Sequence, residues 1–347
     1  VISSALAGFR QQAGFGLLLA FCAVLTLAAI ALSVRTGDLP ISPETTFYAV
    51  TNSLGWTHVP LNRIHESVVM DYRLSRALAA AFCGAGLALC GAVLQSLLRN
   101  ALAEPYVLGI SAGASTGAVS VVVIGLGAGA LTLSMGAFVG AFVAFLFVAL
   151  LSNGTRGGTD RTILSGVAAS QLFNALTSYI VTTAADAQQA RDIMFWLLGN
   201  FSGVRWPDVQ LVSVVVLAGL VLCLLYARVL DAFAFGDDAA AALGIHVGRT
   251  RIILFAGTAL MAATIVSMVG SIGFVGLVVP HAARFLAGPL HTRLLPACAI
   301  TGAIFMVLAD TASRALIPHQ VLPVGVVTAL VGVPFFSLIL YRFQRPS

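Results

Sequence analysis

The sequence predicts an all-α, polytopic membrane protein with about ten transmembrane helices in a single domain over residues 1–347, on three observations. Only 9% of its residues are charged against 59% hydrophobic, far from the roughly 25% charged share of a soluble domain. Apolar runs of about 20 residues recur along the whole chain, each long enough as a helix to cross about 30 Å of hydrocarbon. No ten-residue alternation of apolar and polar residues marks a barrel.

Residue types exclude several chemistries. All 18 basic residues are Arg, and without Lys the chain can form neither a Walker A phosphate loop nor a Schiff base. The net charge of +5 is modest, and the arginines sit at span ends rather than in a nucleic-acid patch. Cys22, Cys83, Cys90, Cys223 and Cys298 lie inside apolar runs with no C-x-x-C and no His at metal spacing, so they read as small buried hydrophobes and no metal site is expected.

The first apolar run covers 15–34. It is longer than the apolar stretch of a signal peptide and lacks a clear small-x-small cleavage site, so a retained helix is expected, N-terminus inside. The segment 35–71, with Pro40, Pro43, Asn52, Gly55, Pro60 and His65, is too polar to span and has room for one or two surface helices. Spans two and three follow at 74–98 and 106–127, with Pro105 at the first turn of the latter. Gly109, Gly113 and Gly117 recur every fourth residue, and Gly136 with Gly140 repeats the device in span four, 131–151. Such small-x-x-x-small ridges let helices approach closely in a membrane.

The loop 152–161 is short and glycine-rich, and span five covers 162–183. Its Gln171, Asn174 and Ser178 fall at i, i+3 and i+7 on one face. That face reads either as interhelical hydrogen-bond glue or as the lining of a wet pathway. In the outer segment 184–208, Trp196 and Trp206 suit the headgroup level. Spans six to ten are expected at 209–230, 252–269, 274–287, 294–314 and 322–341. More arginines fall on the side of the two termini than on the other, which by the charge rule puts both termini in the cytoplasm.

Residues 231–251 form a polar, helix-prone island between two apolar runs. Asp237 and Asp238 suit a helix start, the alanines 239–242 have the best helix propensity, and Gly244 stops it. Flanking Arg228, Arg249 and Arg251 place the island in the cytoplasm. The residues alone leave open whether it merely links two spans or meets a partner.

The run R-L-S-R-A-L-A-A-A-F-C-G-A-G-L-A-L-C-G-A-V-L-Q-S-L-L-R-N-A-L-A-E-P-Y-V-L-G-I-S-A-G-A-S at 73–115 closely resembles the permease subunits of ABC importers for iron chelates and cobalamin. The likeness continues through F-W-L-L-G at 195–199, G-F-V-G-L-V-V-P-H at 273–281 and L-P-V-G-V-V-T-A-L-V-G-V-P-F-F at 322–336. One departure is Ala101, where the family usually has Pro, so a looser turn is expected there.

The resemblance implies a ten-helix permease of the bacterial inner membrane, surrounded by lipid. It implies a homodimer with two cytoplasmic ATPase subunits, which hold the ATP and Mg, and a periplasmic substrate-binding protein. No cofactor on this chain, no covalent chemistry and no nucleic acid are expected. Within the island, F-A-F-G-D-D-A-A-A-A-L-G at 233–244 matches the G-x-x-x-A-x-x-L-G spacing of the family's coupling helix. That match assigns ATPase coupling to Phe233, Gly236, Asp237, Ala240, Leu243 and Gly244. By position, Arg73 and Arg314 resemble the arginines that dock carboxylates of the binding protein, although Arg314 also reads as an i,i+4 partner of Asp310. Thr159 and Asp160 fall where the family places its inner gate, while Asp160 also suits the N-terminus of span five.

The implied cargo is an iron chelate, haem or a ferric siderophore, with cobalamin as the alternative. His281, at the end of the V-V-P-H motif, reads as structural, His246 belongs to the coupling loop, and His58, His65 and His319 read as outer surface residues without ligand spacing. A secondary transporter would need ionisable residues at mid-membrane, and none is well placed. An intramembrane enzyme finds no H-E-x-x-H and no Asp pair within a span.

Overall fold

The computed structural model describes residues 2–125, 131–152, 159–317 and 320–343, and the regular structure among them is helical. Helix α1 (Ile2–Arg35) is followed by two short helices, α2 (Pro43–Ser53) and α3 (Arg63–Ser67). Ser42 and Asn62 cap these through their side-chain oxygens, the usual device for orphan N–H groups at a helix start. The polar segment thus forms the surface helices expected of it. A π-helical stretch, Val68–Leu74, then runs without a break into α4 (Ser75–Leu97).

Helix α4 is the axis of the molecule. In the candidate span Arg63–Leu97, 89% of the apolar window is buried, against 22–28% for α1, α6 (Leu133–Ser152) and α9 (Trp206–Leu225). Its small residues explain the position. A Cβ on Gly84 would collide with the Gly302 carbonyl, and one on Gly91 with the Gly276 carbonyl, so neighbours touch it backbone to backbone. Around it pack α14 (His291–Ala315), α9, α13 (Val275–Ala287) and α12 (Val247–Val269).

The expected glycine ridges face each other. Helix α5 (Ile110–Ile124) lies on α6, and Cβ atoms on Gly113 and Gly117 would strike the Gly140 and Gly136 carbonyls. Gly109 is not part of that ridge. Its φ of +72° separates a 3-10 turn, Pro105–Leu108, from α5, and it sits against Ala169 of α7 (Thr159–Ala184). Span three therefore starts four residues later than Pro105 suggested, because Pro105 opens the turn and not the helix. The turn before it, where Ala101 replaces the usual Pro, is pinned: Asn100 accepts from Leu102 N–H through its side chain at 2.9 Å and from Ala103 N–H through its carbonyl at 3.1 Å.

Motifs distant in sequence join main chain to main chain. After α8 (Ala187–Leu197), the Leu198 and Gly199 carbonyls accept from Gly325 and Val324 N–H at 3.1 and 2.9 Å, at the start of α15 (Val324–Phe343). A Cβ on Gly325 would strike the Leu198 carbonyl. Among the described residues, six helices are long and apolar enough to cross a membrane: in α1, 63–97, α6, α9, α12 and α14. Three more apolar helices, α5, α13 and part of α15, are shorter, and α7 is long but less apolar than α6, α9 and α12. The expected count of ten is thus carried only in part by length and composition.

Candidate functional sites at the two ends of the bundle

At one end, the island forms α10 (Ala227–Phe233) and α11 (Asp237–Ala242) between α9 and α12. Gly236 joins them at φ +107°, a conformation that L side chains rarely adopt, so glycine is required there. Asp237 and Asp238 lie in the first turn of α11, and Gly244 ends it at φ +82°. The end is a Schellman motif: Ile245 N–H donates to the Ala240 carbonyl at 3.2 Å and Gly244 N–H to the Ala241 carbonyl at 2.9 Å.

Packing divides the predicted coupling residues into two sets. Phe233 and Ala240 are buried, at 1% and 0% exposure, and hold the helix to the body rather than facing outward. The Phe233 ring lies 5.9 Å from the Arg251 guanidinium, and Arg251 pairs with Asp237 at 2.8 Å. Leu243 projects outward at 72% exposure. Phe235, before α11, is also exposed at 83%, and sequence reasoning missed it because its alternation with Phe233 does not say which ring faces in. The result is a short helix flanked on either side by an exposed apolar side chain.

Beneath this helix lies a second feature that the sequence did not announce. Asp231 of α10 accepts from His291 N–H at 2.9 Å and meets His291 Nδ1 at 2.6 Å, and His291 Nε2 meets Ser96 Oγ at 2.6 Å. The neighbouring Gln95 accepts from Arg284 at 2.7 Å and donates to the Gly276 carbonyl at 3.2 Å. His291 escaped notice because it stands alone at a span start, with its partners 60 and 195 residues away.

The opposite end holds the two arginines expected to dock a partner, and the structure turns both inward. Arg73 is 2% exposed and donates to the Val34, Arg35 and Leu39 carbonyls at 3.2, 3.2 and 2.5 Å. Arg314 donates to the Thr36 and Ser33 carbonyls at 2.6 and 3.2 Å and pairs with Asp310 at 3.2 Å. Together they satisfy carbonyls at the C-terminus of α1, where the last turn has no intrahelical donors. Asp310 is fully buried and also binds Arg76 at 2.8 Å, and Arg76 donates to Ser202 at 3.1 Å.

Gln171, Asn174 and Ser178 are all exposed on one face of α7, while Phe173, Thr177 and Ile180 on the opposite face are buried. Thr116 ties that buried face to α5, meeting the Thr177 hydroxyl at 2.9 Å. Asp160 is exposed in the first turn of α7 and Thr159 opens the helix. The rest of the gate loop, 153–158, lies outside the described residues, as does His319. His58 is exposed and bonded to the Thr57 carbonyl, His65 is half-buried, and His281 meets the Leu277 carbonyl at 2.8 Å. Glu104, in the loop after α4, is pushed above the usual carboxylate range by burial, which an interaction with the Phe274 backbone N–H partly offsets.

Residues 25–342 match the FecCD transport family. The chain is 40% identical to the cobalamin import system permease protein BtuC of Halobacterium salinarum, over 92% of this chain and 84% of that protein. It is 36% identical to the Fe(3+)-citrate import system permease protein YfmE of Bacillus subtilis, over 96% and 97% of the two chains. With the hemin transport system permease protein HmuU of Yersinia pestis the figures are 33%, 94% and 96%. A solved inward-facing structure of a transporter assigned to the metal-chelate ABC type superposes with a TM-score of 0.82 at 28% identity, covering 94% of this chain and 99% of that one. The chain belongs to the FecCD transport family.

Proposed function

We propose that this chain is the permease subunit of an ABC importer that carries an iron chelate, haem or a ferric siderophore, across the inner membrane into the cytoplasm. Relatives named for cobalamin, ferric citrate and hemin match it at similar strength, so cobalamin stands as the second reading of the cargo. The observation that carries the transport reading is the α10–α11 platform: a short helix closed by a Schellman turn and flanked by exposed Phe235 and Leu243, which suit insertion into a groove of an ATPase.

In this reading two copies of the chain pair in the membrane, each with ten helices and cytoplasmic termini. Two ATPase subunits hydrolyse ATP, and this chain is no enzyme. A periplasmic binding protein delivers cargo to the end bearing Arg73 and Arg314. Substrate passes along the exposed Gln171, Asn174 and Ser178 face of α7, with Thr159 and Asp160 at the inner gate. In this structure both guanidinium groups are taken up by carbonyls at the end of α1, so docking in this reading requires them to turn outward, and the charge pairs formed then contribute orientation and on-rate more than affinity.

The test is ATP hydrolysis by the reconstituted complex, with its binding protein loaded in turn with haem, a ferric siderophore and cobalamin. Stimulation by haem or the siderophore, with uptake of the same ligand, supports the first reading of the cargo. Stimulation by cobalamin alone supports the second.

A further inference from the structure

Ser96, His291 and Asp231 form a continuous polar chain between three helices, and nothing in the transport reading above uses it. Asp231 lies on α10, six residues before Asp237 opens α11. His291 is the first residue of α14, and Ser96 stands on the last turn of α4. His291 and Ser96 are 4% and 8% exposed. Buried polar groups are costly unless satisfied, and here each ring nitrogen of the imidazole has a partner at 2.6 Å. One Asp231 oxygen meets both the backbone N–H and Nδ1 of His291, fixing the ring as well as the helix end.

The order Asp, His, Ser is also that of a hydrolytic triad, and the surroundings rule that out here. The Ser96 hydroxyl donates to the Ala92 carbonyl of its own helix at 3.1 Å, and the residue is packed within the core. A nucleophile needs a cleft in which its oxygen meets substrate.

Position supplies a different role. Helices α4 and α14 are the most closely packed pair on the molecular axis, meeting backbone to backbone at Gly84 and Gly302. Their far ends carry Arg76 and Asp310, so both run from the platform end to the arginine end. At 23 residues α4 covers about 35 Å. Next to Ser96, Gln95 ties the same turn of α4 to α13 through the Gly276 carbonyl. Displacement of α10 therefore reaches α14 through His291, α4 through Ser96 and α13 through Gln95.

We propose that His291 is a positioning residue, acting through Asp231 and Ser96, that transmits motion of the α10–α11 platform to the α4–α14 core. This rests on the reading of that platform as the ATPase contact. The rival is that apolar packing of Ala227 and Leu230, both fully buried, carries the motion alone.

The test uses the whole permease and ATPase complex in proteoliposomes. Two quantities are read: ATP hydrolysis, and the ATP-dependent change in thiol-modification rate of a cysteine placed by Ser178→Cys on the exposed face of α7. With His291→Ala the complex is expected to assemble and hydrolyse ATP while the ATP-dependent change at position 178 is lost, and His291→Gln, which keeps a donor and an acceptor, restores part of it. A full change with His291→Ala, or a fall in hydrolysis and change in equal proportion, overturns the proposal. If His291→Ala fails to assemble, Ser96→Ala decides, since it removes one hydroxyl: an undiminished change overturns the relay and a reduced one supports it. Gly244→Trp serves as the separate control. Should hydrolysis and the change at position 178 stay coupled in that variant, or should the chain carrying Ser178→Cys alone show no ATP-dependent change, it is the platform reading that fails.

Discussion

Arg76 and Asp310 illustrate what single residues do in this protein. Both are essentially free of solvent, and a buried ion pair offers little net stability over apolar residues yet is costly to break from one side. Asp310→Ala would leave two buried guanidinium groups, Arg76 and Arg314, without their carboxylate. Thermal unfolding in detergent is expected to show a loss of about 3–5 kcal/mol, and the double replacement Arg76→Met, Asp310→Leu to recover most of it. The Asp310 and Arg314 contact was legible as an i,i+4 pair, whereas Arg76 and Asp310 stand 234 residues apart and no local pattern joins them. Arg73 and Arg314 were legible as arginines at span ends, and their capping of α1 was not, since it depends on where the end of α1 lands. Reversing both charges is expected to weaken binding-protein affinity less at high salt than at low salt, as screening requires. Affinity indifferent to the change would leave the α1 cap as their role.

At the scale of elements, local signals read well where a residue type has one use. The two aspartates, the alanines and Gly244 gave α11 its start, body and stop, and the glycine spacing gave the faces on which α5 and α6 meet. Gly113→Leu is expected to push these helices apart at a cost of about 1–3 kcal/mol or more, seen as lower Tm and lower yield of folded protein. Gly14→Leu, where the backbone has open space, serves as the comparison and should change neither. What the sequence could not supply was the facing of short pieces. Phe233 and Phe235 are chemically alike, and only the packing of α10 on α4 and α14 buries one and exposes the other. The π-helical stretch Val68–Leu74 was equally hidden, because nothing in its residue types separates it from the α-helix it runs into.

For the molecule as a whole, composition alone gave the class, and the apolar runs gave most helix positions within a few residues. The central place of α4 follows from its run of Ala, Gly and Cys, which allows backbone contact on several sides at once. The joining of the motifs at 195–199 and 322–336 was beyond local reasoning, since main-chain bonds between segments more than a hundred residues apart leave no spacing to read. The arrangement left is a packed core, the α10–α11 platform at one end and an arginine cluster at the other, with a polar link under the platform. The most direct measurement of this account is uptake into proteoliposomes containing the permease, its ATPase and its loaded binding protein, compared with the permease alone under an imposed ion gradient. Uptake that requires ATP and the ATPase is the predicted result, and uptake driven by the gradient without any ATPase would contradict it.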